Sequence, residues 1–129
     1  MAILLSHLHG VNFVTGVEDS GIGISGTIKS IEEGENEVFL GEASDIITPL
    51  AAIMAIGDGG RISGAAHARG KESDRISKTV ELLESFGLYS KETDDGLLIR
   101  GSQHPVRPEE PVETHGDHRL AMTAMALAS

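Results

Sequence analysis

Gly70-Lys71-Glu72-Ser73-Asp74-Arg75 sets two cations and two anions behind a glycine, with a small hydroxyl among them. Ile76, Val80, Leu82, Leu83 and Phe86 follow at spacings of three and four, one face of an amphipathic helix. The charged run is therefore a loop that enters a helix, and Ser73 or Asp74 is the expected N-cap. Lys71 and Arg75 then stand where backbone N–H groups are free and the helix dipole is positive, a place that suits an anion. The plainer alternative is a solvated helix start whose charges pair locally, and such pairs contribute little. A second cluster, Asp117-His118-Arg119, enters a second apolar stretch and repeats the arrangement.

Upstream, Arg61-Ile62-Ser63 reads as a strand that leads through Ala65 and His67 to the charged loop. Before it, Thr48 to Ile56 is alanine-rich and nearly apolar all round, which predicts a buried helix. Ser44 or Asp45 is its expected cap, Pro49 suits its first turn, and Gly57 to Gly60 stops it. Val38-Phe39-Leu40 is a short strand ending at Gly41. Earlier still, Thr27 to Glu37 reads as a loop or irregular strand, and Ile22 with Ile24 as a short strand after an Asp19-Ser20-Gly21 turn. Val11 to Val14 suits a strand, and Ile3 to Leu8 the tail of a helix stopping at Gly10.

Downstream, the same order returns. Leu82 to Gly87 echoes Leu4 to Gly10, Asp95-Gly96-Leu97-Leu98-Ile99 echoes Ser20 to Ile24, and Gly101 falls opposite Gly26. A polar stretch with Pro105, Pro108 and Pro111 takes the place of Thr27 to Glu37, and Asp117 with the helix from His118 to Ala128 falls opposite Asp45 and its helix. Helix, strand, strand, loop and capped buried helix thus occur twice, the sign of one structural unit used more than once. The fold expected is α/β (α+β), with an approximate division at 1–60 and 61–129. Both ends fall inside the pattern, so the expectation is a piece of a longer chain.

The 129 residues carry 20 acidic against 10 basic side chains, a formal charge of −10. That balance argues against nucleic acid and against an anionic membrane surface. Aromatic residues are only 3%, so there is no base-stacking platform. No run approaches membrane-spanning length. Cysteine is absent, which removes disulfides and thiolate metal sites and fits a cytoplasmic setting. Arg69, Lys71, Arg75 and Arg119 concentrate the few cations in the two motifs.

Cations at helix entrances suit phosphate or carboxylate, with Arg offering a planar fork and Lys a compact charge. Glu72 between them can pass a proton when a substrate anion offsets the cations. Asp45 has its plain role as a cap, and His118 is a titratable group that can equally serve as a capping or hydrogen-bonded side chain. His115 and His118 flank Asp117, but no third ligand has a convincing spacing, so no metal is expected. Gly21 to Gly26 has a dinucleotide-like glycine pattern but neither a strong strand before it nor a helix after it, so these are turn and strand glycines.

Arg69 to Ile76 closely resembles the Lys-Glu-Ser/Thr-Asp-Arg motif of the 5-enolpyruvylshikimate-3-phosphate synthase family. Thr114 to Met122 resembles that family's Asp-His-Arg-hydrophobic-Ala-Met motif, and Ser44-Asp45 with Pro49-Leu50-Ala51 its aspartate-then-buried-helix segment. The three occur in the family's order. Gly70 stands where valine is common and His115 where tyrosine is common; the charged positions are untouched. The sister family that uses UDP-N-acetylglucosamine shares the fold but not these two motifs.

The resemblance implies two domains built from βαβαββ units around buried helices. This chain would be about one and a half units of the C-terminal domain, working with an N-terminal domain. It implies transfer of enolpyruvate from phosphoenolpyruvate to the 5-hydroxyl of shikimate 3-phosphate, in the route to chorismate and the aromatic amino acids, with no cofactor. Asp45 would accept the hydroxyl proton, Lys71 would bind shikimate 3-phosphate and assist, and Glu72 would shuttle a proton at the methylene carbon. Arg75 and Arg119 would hold phosphoenolpyruvate, with His118 nearby. The alternative is a non-catalytic anion-binding or structural module. These six residues are expected to converge on one positive edge, with Arg75 and Arg119 exposed there, and the helices from Pro49 and from His118 are expected to be the most buried elements.

Overall fold

The apolar run around Ala52 forms α1 (Ile47–Ile56), the centre of a computed structural model that describes residues 37–70 and 74–129. Ile47, Thr48, Leu50, Ala51, Ala52, Ile53, Met54 and Ala55 are all buried, as apolarity on every side demands. Pro49 lies in the first turn, and Gly57 closes the helix by donating its N–H to the Ile53 carbonyl at 2.8 Å.

The cap expected from Ser44 or Asp45 is not what starts α1. A 3-10 turn, Ser44–Ile46, intervenes and shifts the α-helical start onward, so Ile46 holds the N-cap position without a side-chain bond. The Ser44 hydroxyl is buried without a hydrogen-bond partner, and the Asp45 carboxylate meets Arg75.

Two more helices, α2 (Arg75–Ser85) and α3 (His118–Ala128), pack against α1. The spacing seen in the sequence is the buried face of α2: Ile76, Leu82 and Leu83, with Phe86 just beyond it. In α3 only Leu120, Thr123, Ala126 and Leu127 are buried, and Met125 is 67% exposed. α3 is thus not buried as α1 is, because α1 and α2 lie along one face of it.

A four-stranded sheet backs the helices: β1 (Glu37–Phe39), β2 (Gly59–Ser63), β3 (Ser90–Thr93) and β4 (Gly96–Arg100), in the order β1-β2-β4-β3. β1 and β2 run parallel with α1 between them in sequence; the other two pairings are antiparallel. Alternation places Val38, Ile62, Leu97 and Ile99 in the core, and Phe39, Arg61, Leu98 and Arg100 on the exposed side. β3 is a polar edge strand, Ser-Lys-Glu-Thr, whose sequence carries no such alternation. Gly59 has φ +74, and a Cβ there would meet Gly101 N at 2.5 Å and Ile99 O at 2.6 Å, so only glycine fits this start of β2.

The architecture is α/β, a mixed sheet with helices on it. The approximate division at residue 60 runs through β2. The elements expected from Ile3 to Asn36, and Lys71, Glu72 and Ser73, lie outside the described residues.

Candidate functional site

α2 begins at Asp74, whose Oδ1 accepts the Ser77 N–H at 3.3 Å, the N-cap geometry expected for this residue type. Its Oδ2 takes Arg69 Nη1 at 3.0 Å. Arg69 lies in the 3-10 turn Ala66–Gly70 and also donates from Nη2 to the Thr93 carbonyl at 2.8 Å. It therefore joins the helix entrance to the β3–β4 hairpin, a role the sequence did not disclose because its partners come from a distant strand end.

Arg75, the first residue of α2, is only 3% exposed. Its Nε donates to Asp117 Oδ2 at 2.9 Å and its Nη1 to Asp45 Oδ1 at 2.5 Å. The expectation of an exposed arginine is thus corrected: two carboxylates draw the guanidinium inward and compensate its burial. Burial alone lowers the Arg75 pKa, but the hydrogen bonds and charges of Asp117 and Asp45 outweigh it, and the pKa is raised. Two carboxylates face one guanidinium, so this cluster is not by itself the positive patch expected from the sequence.

Asp117 is 0% exposed and caps α3, its Oδ1 accepting the Arg119 N–H at 2.9 Å. His118 and Arg119 are the first two residues of that helix; His118 is exposed, and Arg119 is partly buried with its Nε shielded and without a hydrogen-bond partner. The Asp45 side chain is 53% exposed and is the solvent-facing member of the cluster. So Asp45, Arg75, His118 and Arg119 come to the neighbouring entrances of three helical segments. Asp117, named in the sequence only as a helix-entrance residue, proves to be the group between them.

His115 sits apart from His118. It adopts φ 52, and its Nε2 lies 3.2 Å from Glu81 Oε2 on α2. Glu81 has its pKa lowered, first by its hydrogen bond from Lys78 and then by His115. Among the described residues, no group of three His, Asp or Glu side chains could hold a metal ion, and no helix is long and apolar enough to cross a membrane.

The sequence profile of the family described as EPSP synthase (3-phosphoshikimate 1-carboxyvinyltransferase) matches residues 3–129. The 3-phosphoshikimate 1-carboxyvinyltransferase of Korarchaeum cryptofilum is 34% identical over 116 residues, covering 88% of this chain and 27% of the relative. That of Halorubrum lacusprofundi is 36% identical over 104 residues, 80% of this chain and 22% of the relative. The pentafunctional AROM polypeptide of Schizosaccharomyces pombe is 34% identical over 110 residues, 80% of this chain and 7% of the relative. The chain spans about a quarter of the length of the first two relatives. Since the profile match takes in Asp45, Arg75 and the whole entrance of α3, the chain belongs to the EPSP synthase family.

Proposed function

We propose that the chain forms part of a transferase that moves enolpyruvate from phosphoenolpyruvate to the 5-hydroxyl of shikimate 3-phosphate, releasing phosphate, on the route to chorismate and the aromatic amino acids in the cytoplasm. It would be a part of the C-terminal domain, about one and a half βαβαββ units, with an N-terminal domain supplying further cations. The observation that carries the reading is the meeting of Asp45, Arg75 and Asp117, although 30 and 42 positions separate them along the chain.

Asp45 is the carboxylate that a substrate hydroxyl can reach, since half of its side chain meets solvent. It would take the 5-hydroxyl proton as the oxygen attacks C2 of phosphoenolpyruvate, while Glu72 delivers a proton to the methylene carbon. The tetrahedral intermediate then loses phosphate, which leaves with the hydroxyl proton that Asp45 had taken, while Glu72 recovers its own proton from the methyl group. Lys71 would hold shikimate 3-phosphate, and Arg75 and Arg119 the phosphoenolpyruvate anion, with His118 beside them. Holding two anions together and neutralising their charge is most of the task. In the present arrangement Asp45 covers Arg75, so an anion must displace it. That pairing also favours a second reading, a non-catalytic anion-binding or structural module.

Replacing the matching stretch of the Korarchaeum relative with this chain tests the proposal. The chimera is expected to release phosphate from the two substrates, the chain alone is not, and Asp45→Asn in the chimera should lose turnover by about 100-fold or more. A folded but inactive chimera, or an isolated chain as fast as a full-length enzyme, refutes it.

A further inference from the structure

We infer that Asp117 is a positioning residue for this site: one buried carboxylate aims the Arg75 guanidinium and sets the entrance of α3. The inference rests on the function proposed above for its link to phosphoenolpyruvate. Its geometry stands on its own. Oδ2 holds Arg75 Nε and Oδ1 holds the Arg119 N–H, each at 2.9 Å.

A guanidinium is planar, so fixing its Nε edge fixes the plane and the direction in which Nη1 points. Here Nη1 points at Asp45. The other oxygen of Asp117 sets the first turn of α3, on which His118 and Arg119 stand. The two charged motifs are thereby joined through a single side chain. Capping alone does not call for this burial: Asp74 caps α2 with a side chain 36% exposed, whereas that of Asp117 is 0% exposed. Nor does stability call for it, because a buried ion pair is commonly no better than apolar residues of the same volume. What the apolar substitute cannot do is orient a fork.

The test uses the whole chain. Nuclear magnetic resonance follows exchange of the Arg75 Nε–H, assigned by its loss in Arg75→Lys, and titration with phosphoenolpyruvate follows binding. Asp117→Asn is expected to melt cooperatively while Nε–H exchange quickens and the phosphoenolpyruvate Kd rises, each about tenfold, the scale of one charge-assisted hydrogen bond. Asp117→Ser keeps a capping oxygen but cannot reach Arg75, and it carries the same expectation if the asparagine variant does not fold. Thr79→Val removes the buried Thr48–Thr79 hydrogen bond between α1 and α2 and should lower stability without altering either signal. Unchanged Nε–H protection in the Asp117 variants overturns the inference, as does an equal loss of binding in Thr79→Val. If neither the parent chain nor the chimera described above binds phosphoenolpyruvate, the proposed function loses its support, and the exchange data still decide the role of Asp117.

Discussion

Arg75→Ala puts the charge cluster to its most direct stability test. The arginine side chain is 3% exposed and lies between Asp117, 0% exposed, and Asp45, 53% exposed. The substitution takes from a fully buried carboxylate the cation that faces it, a one-sided break that costs roughly 3–5 kcal/mol. The Asp45 arm adds only about 0–1 kcal/mol, because solvent already screens that side chain. The total, about 3–6 kcal/mol, is a fifth or more of the roughly 5–15 kcal/mol that holds a small domain together. Arg75→Lys keeps a charge but cannot reach both carboxylates with a fork, so a smaller loss of about 1–3 kcal/mol is expected. Urea unfolding followed by far-ultraviolet circular dichroism reads both values, with an unchanged m showing that only stability has moved. An exposed arginine, as the sequence led one to expect, would lose almost nothing. A measured loss below about 1 kcal/mol for Arg75→Ala would therefore refute the buried cluster.

Three other outcomes are expected. Ala52→Asp puts a charge at a position 0% exposed in α1 and should abolish cooperative melting; an unchanged Tm would mean that α1 is not central. Gly59→Ala should cost about 1–3 kcal/mol, because its φ of +74 and the backbone of Ile99 and Gly101 leave no room for a Cβ; equal urea midpoints would contradict that packing. The Gly64 N–H, and then Arg61, hold the Asp95 carboxyl below the usual aspartate range. A lowered carboxyl contributes stability above its unfolded pKa and loses it as pH falls through the folded one, so urea midpoints should drop below pH about 4. Asp95→Asn should flatten that drop, and an equally steep fall in the variant would exclude Asp95 as its source.

The sequence disclosed those elements whose own composition decides them. α1 was legible because an apolar helix surface has nowhere to go but inside, and α2 because its apolar residues recur at helical spacing. Asp74 and Asp117 were legible as entrance residues for the same local reason. Other features depend on partners far along the chain. β3 is polar because it lies at a sheet edge, and only its pairing with β4 reveals it. The start of α1 departs from the expected cap because the preference of Ser44 and Asp45 for helix starts is a local quantity, whereas Asp45 is engaged by an arginine 30 residues on. The burial of Arg75 was hidden similarly: no spacing rule says that two carboxylates from distant segments will compensate it. The chemical types of the site could be read, but not which of them face each other.

Arg75 bonds to residues 30 positions before it and 42 positions after it, while the β3–β4 hairpin closes through a two-residue loop between Thr93 and Gly96. Closing long loops costs entropy before their contacts give anything back, so nearby pairings can form early and the Arg75 contacts late. The cluster then belongs to the downhill side of the folding barrier. Lesions in it should hasten unfolding and leave the folding rate almost untouched. A nascent or half-folded chain would accordingly lack the assembled Arg75 cluster, and an anion bound at the site proposed above would stabilise only molecules that had already completed their fold.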